Sequence, residues 1–143
     1  MTRRLPEPMI AEMYDWRNRD PKDKPSWGPH GSWMYWRWDA IETRQGVYDW
    51  TPIERYLDTA AGMGKPVIVG IMLLEAPDMD CTPAYLGEGW PVIKGGAPTG
   101  ETFPKWNDTA WDAACQRMIR AFGAAFDGDP RVHSVRICTA EYG

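Results

Sequence analysis

The sequence predicts an α/β fold in which three parallel strands alternate with two helices. Residues 67–74 are apolar on both faces, which is typical of a strand buried in a parallel sheet that helices cover. An amphipathic helical pattern precedes this run, and a second pattern follows it at residues 111–126. A strand, a helix and a strand in that order form a βαβ unit, whose crossover is right-handed almost without exception.

The first part of the chain divides into an irregular segment and a strand. Residues 1–31 carry many charges and five prolines, so we expect an irregular N-terminal segment there. Residues 32–38 are rich in aromatic side chains and predict the first strand of a domain that extends over residues 32–143. Arg37 lies inside this strand. Because burial of an unpaired charge is costly, Arg37 needs a partner.

The two helices have predicted start signals. Thr51 is expected to cap the first helix, with Pro52 at the first helical position and Glu54 completing a capping box with Thr51. Asp108 is expected to cap the second helix. The turn that follows this helix leads into residues 132–138, which predict the third strand.

Residues 75–107 form the longest stretch without a helical or strand pattern. They contain five prolines and five glycines, and we expect a long loop of the kind that is usually functional in a compact domain. Aromatic residues within it, including Trp90 and Trp106, argue against disorder. Two lysines stand against five acidic residues, so this segment is expected to repel anionic ligands.

Composition narrows the classes of function. The net charge is −4, and the sequence has neither the basic stripe typical of nucleic-acid binding nor the basic amphipathic helix typical of membrane surfaces. Residues 1–7 lead into no apolar core, so they do not predict a signal peptide. Cys81, Cys115 and Cys138 form no CxxC pair and no glycine-rich loop follows a strand, so we expect no metal and no nucleotide cofactor.

Carboxylates and tryptophans follow the predicted strands. In parallel α/β folds, ligands bind at the carboxyl ends of the strands, where Asp39, Glu75 and Glu141 are found. Two carboxyl groups are the usual requirement for hydrolysis of a glycosidic bond, and indole rings offer flat apolar faces to sugars. The pattern therefore predicts a carbohydrate site. Glu42 is instead expected to make structural hydrogen bonds within its loop.

Three segments resemble a known family. Residues 35–50, YWRWDAIETRQGVYDW, resemble the second-strand segment of clan A glycoside hydrolases of the β-galactosidase-like kind. The family pattern is an arginine-bearing strand followed by W-x-x-I-E-P-x-x-G-x-Y-x-W, with Thr43 here in place of the proline. Residues 64–67 resemble the family's step from a helix into the third strand. Residues 140–143, AEYG, are similar to the N-E-Y-G that closes the fourth strand, with Ala140 in place of the asparagine.

The resemblance implies a partial (β/α)8 TIM barrel, about strands two to four with their helices, over residues 31–143. It implies that Glu141 is the catalytic acid/base, and that the nucleophile comes from a seventh strand that these residues do not include. We therefore expect a glycoside hydrolase fragment that is inactive by itself. The residues expected to bind a carbohydrate substrate are Arg37, Asp39, Glu75, Trp90 and Trp106.

Two other interpretations remain open. One is a non-catalytic carbohydrate-binding module with the same tryptophans and acids. The other is a small α/β domain unrelated to sugars, with every tryptophan in the core. Low solvent exposure of Trp90 and Trp106 would favour the latter. In either case, a sheet of three parallel strands leaves two unpaired edges, so we expect the chain to aggregate.

Overall fold

The computed structural model describes residues 32–75 and 79–141. The backbone alone is described for Ser32, Trp33, Glu75, Met79 and residues 137–141. The predicted irregular segment 1–31 lies outside the described residues. The elements follow one another as β1 (Ser32–Arg37), α1 (Trp38–Ile41), α2 (Thr51–Ala61), β2 (Val67–Glu75), β3 (Met79–Asp80), a 3-10 turn (Ala84–Leu86), β4 (Trp90–Lys94), β5 (Ala97–Phe103), α3 (Thr109–Phe126) and β6 (Val132–Glu141).

β2 is the central strand of the main sheet. β1 runs parallel to it along one edge, and β6 runs parallel to it along the other. The short β3 is antiparallel to β2 and pairs with Leu74 and Glu75, beyond the end of β1. β4 and β5 form a separate antiparallel sheet of two strands, called here the β4–β5 hairpin.

The expected partial (β/α)8 barrel with a parallel sheet is wrong. The main sheet is mixed, because it combines three parallel strands with the antiparallel β3, and a second sheet is antiparallel throughout. Within the described residues, β1 and β6 pair only with β2 and not with each other. The apolar run in β2 indicates a strand that lies inside a sheet and is covered on its faces. It does not indicate whether the sheet closes into a barrel, because closure depends on the number, tilt and stagger of the strands.

The core lies between the main sheet and the helices α2 and α3. The alternating β2 residues Val67, Val69 and Ile71 are buried there, whereas Ile68 and Met72 are only partly buried. The helices contribute buried residues at three- and four-residue steps: Ile53, Leu57 and Ala60 from α2, and Trp111, Ala114, Cys115, Met118, Phe122 and Phe126 from α3. Both helices therefore pack on the same face of the sheet.

The opposite face carries an aromatic and a cationic side chain that meet across β2. Gly70 pairs in register with Tyr35 on one side and with Arg136 on the other. The Cζ atom of Arg136 lies 5.7 Å from the centroid of the Tyr35 ring, which is a cation–π contact. A Cβ atom at Gly70 would overlap the Tyr35 ring. Glycine at this position therefore lets the ring cross the central strand.

The segment 75–107 is not the long loop that the sequence predicts. It contains β3, the 3-10 turn and both strands of the β4–β5 hairpin. Gly95 and Gly96 connect these two strands with φ values of 60° and 84°, because Lys94 pairs directly with Ala97. Two successive residues with positive φ are what a tight type I′ hairpin turn requires.

One predicted helix start is confirmed and the other is wrong. The Asp108 carboxylate accepts hydrogen bonds from two N–H groups in the first turn of α3, as predicted. Thr51, in contrast, is already the first residue of α2, and its N–H donates to the Asp49 carboxylate at 3.0 Å. Glu54 does not complete a capping box, since its carboxylate binds Arg131 instead.

Arg131 joins α2 to the turn before β6, and its replacement by alanine is expected to cost roughly 2 kcal/mol of stability. The guanidinium donates to Asp129 and Glu54 at 2.6 Å and also binds Asp58. Without the guanidinium, the carboxylates of Glu54, Asp58 and Asp129 would lie close together with no Arg131 charge between them. Urea unfolding of the Arg131→Ala variant checks this expectation, and Arg131→Lys should lose less because it keeps the charge.

The contribution of Arg131 is also expected to depend on pH. Hydrogen bonds from Arg131 hold the pKa of Asp129 below its ordinary value. Because the folded pKa is depressed, the stabilisation is fully present above the unfolded aspartate pKa of about 3.9 and is lost as the pH falls through the folded pKa. The stability difference between the wild type and Arg131→Ala should therefore shrink between pH 7 and pH 3. An equal difference at both pH values would contradict the role of Asp129.

Candidate functional site

Two predicted site residues are register partners at the carboxyl end of the main sheet. Glu75, the last residue of β2, pairs with Glu141, the last residue of β6. The pairing of β2 with β6 shifts register between Met72 and Leu74. Arg37 pairs with Met72, about 10 Å before Glu75 along the strand. All three predicted positions thus belong to the same end of one sheet.

Arg37 has the partner that its position in a strand requires. Its Nε donates to Oδ1 of Asp39 at 3.0 Å and its Nη2 donates to Oδ2 at 2.7 Å. Such a two-bond pair fixes the orientation of the carboxylate as well as its charge. Both side chains remain about one-third exposed, so the Asp39 carboxylate is oriented at the surface and not sequestered in the core.

Cys81, the residue after β3, connects the start of α1 with the end of β2. The N–H of Asp39 donates to the carbonyl oxygen of Cys81 at 2.8 Å, and the N–H of Cys81 donates to the carbonyl oxygen of Leu73 at 2.9 Å. Asp80 pairs with Leu74 and lies against the start of the β4–β5 hairpin at Gly89. The hairpin is therefore attached to the same edge of the sheet as the strand-end acids.

Three aromatic residues cluster where the β4–β5 hairpin meets this edge, and we call them the aromatic cluster. Trp90 pairs in register with Phe103, and the Phe103 and Trp106 rings stack with their centroids 6.4 Å apart and their planes at 27°. Trp90 is 55% exposed and Trp106 is 43% exposed. By contrast, Trp38 and Trp111 are buried and pack edge to face. The interpretation that places every tryptophan in the core does not fit Trp90 and Trp106.

A tight turn holds Trp106 in place. Its N–H donates to the carbonyl oxygen of Pro104 at 2.8 Å, and the next residue, Asn107, has a φ of 72°. Asparagine is one of the few residues besides glycine that adopt this left-handed conformation readily. Asp108 follows directly as the cap of α3, so the turn is anchored to the start of a long helix.

Glu42 is fully buried and accepts three hydrogen bonds. The indole Nε1 of Trp38 donates to its Oε2 at 2.6 Å, while the Gly46 N–H and the Tyr85 hydroxyl each donate to its Oε1 at 2.8 Å. The predicted structural role in its loop is confirmed. The bond from Tyr85 also ties this loop to the 3-10 turn that lies between β3 and the hairpin.

Two tyrosines near Glu42 have raised pKa values. Burial raises the pKa of Tyr85 well above its ordinary value, and the hydrogen bond to Glu42 acts in the same direction, against an opposing effect of Arg117. Burial also raises the pKa of Tyr48, and the negative charge of Glu42 acts in the same direction. Tyr85 therefore remains protonated, as its donation to Glu42 requires.

Sequence reasoning included Asp80 among the acids expected at this edge but did not assign Phe103 to the site. Both residues belong to strands inside the segment that was expected to be a loop. The pair Gly95–Gly96 was the available signal, because two glycines between short extended runs indicate a hairpin. With such a hairpin assigned, Phe103 would have been placed opposite Trp90.

In the part of the chain that the structure describes, no group of three or more His, Cys, Asp or Glu side chains is arranged to hold a metal ion. None of the described helices has the length and apolarity needed to cross a membrane. Cys81 and Cys115 are both buried. No protein-family model matches the chain, and a search of curated proteins finds no match.

Proposed function

We propose that this chain carries a sugar site of the glycoside hydrolase type at the carboxyl ends of β1, β2 and β6. In this proposal, Glu141 is the general acid/base and Glu75 is the neighbouring carboxylate that tunes it. The register pairing of Glu75 with Glu141 carries the proposal. The resemblance of residues 35–50 and 140–143 to clan A glycoside hydrolases supports it.

Neighbouring strands lie about 4.8 Å apart, so the backbones of Glu75 and Glu141 are adjacent at the end of the sheet. In general, two carboxyl groups close to each other disfavour ionisation of both. A carboxylic acid that stays protonated can donate to the oxygen of a glycosidic bond. This is the chemical task that we assign to Glu141.

In the proposed step, the proton moves from Glu141 to the glycosidic oxygen while the bond from that oxygen to the anomeric carbon breaks. The bonding electron pair stays with the oxygen, and positive charge develops on the sugar ring. Water later supplies the hydroxyl group at the anomeric carbon and returns a proton to Glu141. A second carboxylate must attack the sugar or activate water. We assign to this site the proton-donating half of that chemistry.

Asp39 and the aromatic cluster are assigned to substrate binding. The Arg37 guanidinium orients the Asp39 carboxylate, whose remaining lone pairs can accept hydrogen bonds from sugar hydroxyl groups. Trp90 and Trp106 offer exposed ring faces at the same edge.

The proposal predicts that a cationic iminosugar binds the intact chain. Deoxygalactonojirimycin carries positive charge where the sugar develops it, so Glu75 and Glu141 should attract it. In a calorimetric titration, Glu141→Gln and Glu75→Gln should each weaken binding by at least about tenfold, the effect of losing one charged contact. Asp112→Asn, which removes an exposed carboxylate on α3, is the matched control and should bind like the wild type.

Two results would overturn the acid/base assignment: an iminosugar that does not bind, or one that binds Glu141→Gln as tightly as the wild type. Turnover of 4-nitrophenyl glycosides that disappears in Glu141→Gln would extend the proposal to catalysis by this chain alone.

A second candidate function is a non-catalytic carbohydrate-binding module. The exposure of Trp90 and Trp106 favours it, because exposed indole faces bind sugars without any chemistry. Oligosaccharide binding that is unchanged in Glu141→Gln, with no turnover, would select this function over the hydrolase.

A further inference from the structure

We infer that the β4–β5 hairpin and Trp106 form a binding arm for an extended polysaccharide, so that the ligand of this edge is a glycan chain and not a single sugar. The inference rests on the proposed function, since the arm would hold the part of the same chain that lies away from Glu75 and Glu141. Its structural basis is the aromatic cluster and the way in which β3 attaches it to the sheet.

The first observation is the arrangement of the rings. Phe103 and Trp106 stack at 27°, and Trp90 lies opposite Phe103 across the hairpin. Large rings that leave half of their surface in water are poorly explained by packing within the chain. Several flat faces in succession match a ligand that also presents several flat rings, which is the shape of a glycan chain.

The second observation is the distance from the acids. β3 lies one strand spacing from β2, and the start of the hairpin at Gly89 lies directly against Asp80 of β3. β6 pairs with β2 on its other side, so β2 and β3 both lie between Glu141 and the hairpin. A ligand that contacts both Glu141 and the hairpin must therefore cross two strands, which favours a chain of several rings over a single sugar.

The third observation is that the hairpin also carries polar side chains that can meet sugar hydroxyl groups. Thr99 Oγ1 lies 3.0 Å from the carboxylate of Glu101, which also pairs with Lys94 at 3.3 Å. These groups lie on the strands that carry the rings, with Lys94 largely exposed and Glu101 about one-third exposed. An interface built for another protein would instead be expected to have a continuous apolar centre.

The test compares the affinities of the intact chain for short and long ligands by calorimetry. The probes are the disaccharides and hexasaccharides of β-1,4-linked galactose, glucose, xylose and mannose. At least one hexasaccharide should bind about tenfold tighter than its disaccharide, and Trp106→Ala should remove most of that gain, as expected for loss of one stacked ring. Trp106→Phe keeps a ring face and should retain part of the gain.

Ile93→Ala is the matched control. Ile93 is 56% exposed on β4 but alternates with Trp90 and Val92, so it belongs to the other face of the hairpin. Its loss should leave the affinity for the hexasaccharide unchanged. Equal affinities for the disaccharide and the hexasaccharide in all four series would overturn the inference. So would concentration-dependent dimerisation that Trp106→Ala abolishes, because the cluster would then bind a second copy of the chain.

The same variants separate this inference from the proposed function. Trp106→Ala should still bind the iminosugar, which is too small to reach the aromatic cluster. If the iminosugar binds and the hexasaccharides bind no tighter than the disaccharides, the inferred binding arm is wrong and the proposed acid site is kept. If the hexasaccharides bind tighter and Trp106→Ala removes that gain in affinity, while the iminosugar does not bind, the proposed acid site is wrong and the binding arm is kept.

Discussion

Replacement of Glu42 by alanine is expected to lower the free energy of unfolding by about 4 kcal/mol, which is large for a single substitution. The carboxylate is fully buried, and three donors depend on it: Trp38 Nε1, the Gly46 N–H and the Tyr85 hydroxyl. The alanine variant would leave the Trp38 indole N–H buried without an acceptor, and it would remove the acceptor of the Gly46 N–H and of the partly buried Tyr85 hydroxyl. Chemical denaturation followed by tryptophan fluorescence measures the change.

The expected loss is specific to the carboxylate. Tyr85→Phe removes one of the three donors and keeps the acceptor, so it should cost only about 1 kcal/mol. Since Tyr85 holds the 3-10 turn against the loop that contains Glu42, that variant should also loosen the segment between β3 and the hairpin. A loss below 1 kcal/mol for Glu42→Ala would show that water replaces the carboxylate and that the buried network is not required.

Gly89→Ala is expected to destabilise the fold by roughly 2–3 kcal/mol and to displace the β4–β5 hairpin from the sheet. A Cβ atom at this position would overlap the Phe103 carbonyl oxygen and the Asp80 carboxylate. The carbonyl belongs to the backbone of β5, so a side-chain rotation cannot relieve the overlap. Thermal unfolding gives the loss of stability, and hexasaccharide titration gives the loss of the long-chain affinity gain.

Gly123→Ala is the matched control with the opposite sign. Gly123 lies within α3, and a Cβ atom there meets nothing within 4 Å. Alanine should therefore stabilise the helix by about 0.5–1 kcal/mol through its higher helical propensity. If Gly89→Ala were as stable as Gly123→Ala, the close packing of the hairpin against β3 would be wrong.

The elements that the sequence predicts correctly are those with a repeating apolar pattern. The run at residues 67–74 corresponds to β2, and the periodic residues from Trp111 onwards form α3 with Asp108 as its cap. These patterns are readable because burial selects side chains at fixed intervals. The start of α2 was missed by one position, because Asp49 and Thr51 can each accept at a helix start and only the fold decides between them.

The hairpin and the antiparallel β3 were missed for a physical reason. Val92 is the only buried residue of β4, and β5 has none, so neither strand shows the alternation that reveals a half-buried strand. Pro91 and Pro98 also argue against strands, although prolines are tolerated at sheet edges. Of the site, the pairing of Arg37 with a nearby acid was predictable from the cost of its charge, whereas the register of Glu75 with Glu141 was not.

The β4–β5 hairpin is only slightly buried, so its sequence can change during evolution with little effect on the core. The core lies between the main sheet and its two helices, and the hairpin contributes little apart from Val92 to any buried region. Apart from Gly89, which packs against β3, mutations that change the length or the exposed residues of the hairpin should therefore have little effect on folding. Mutations in the hairpin can then change the ligand preference of the protein while the stability of the fold is conserved.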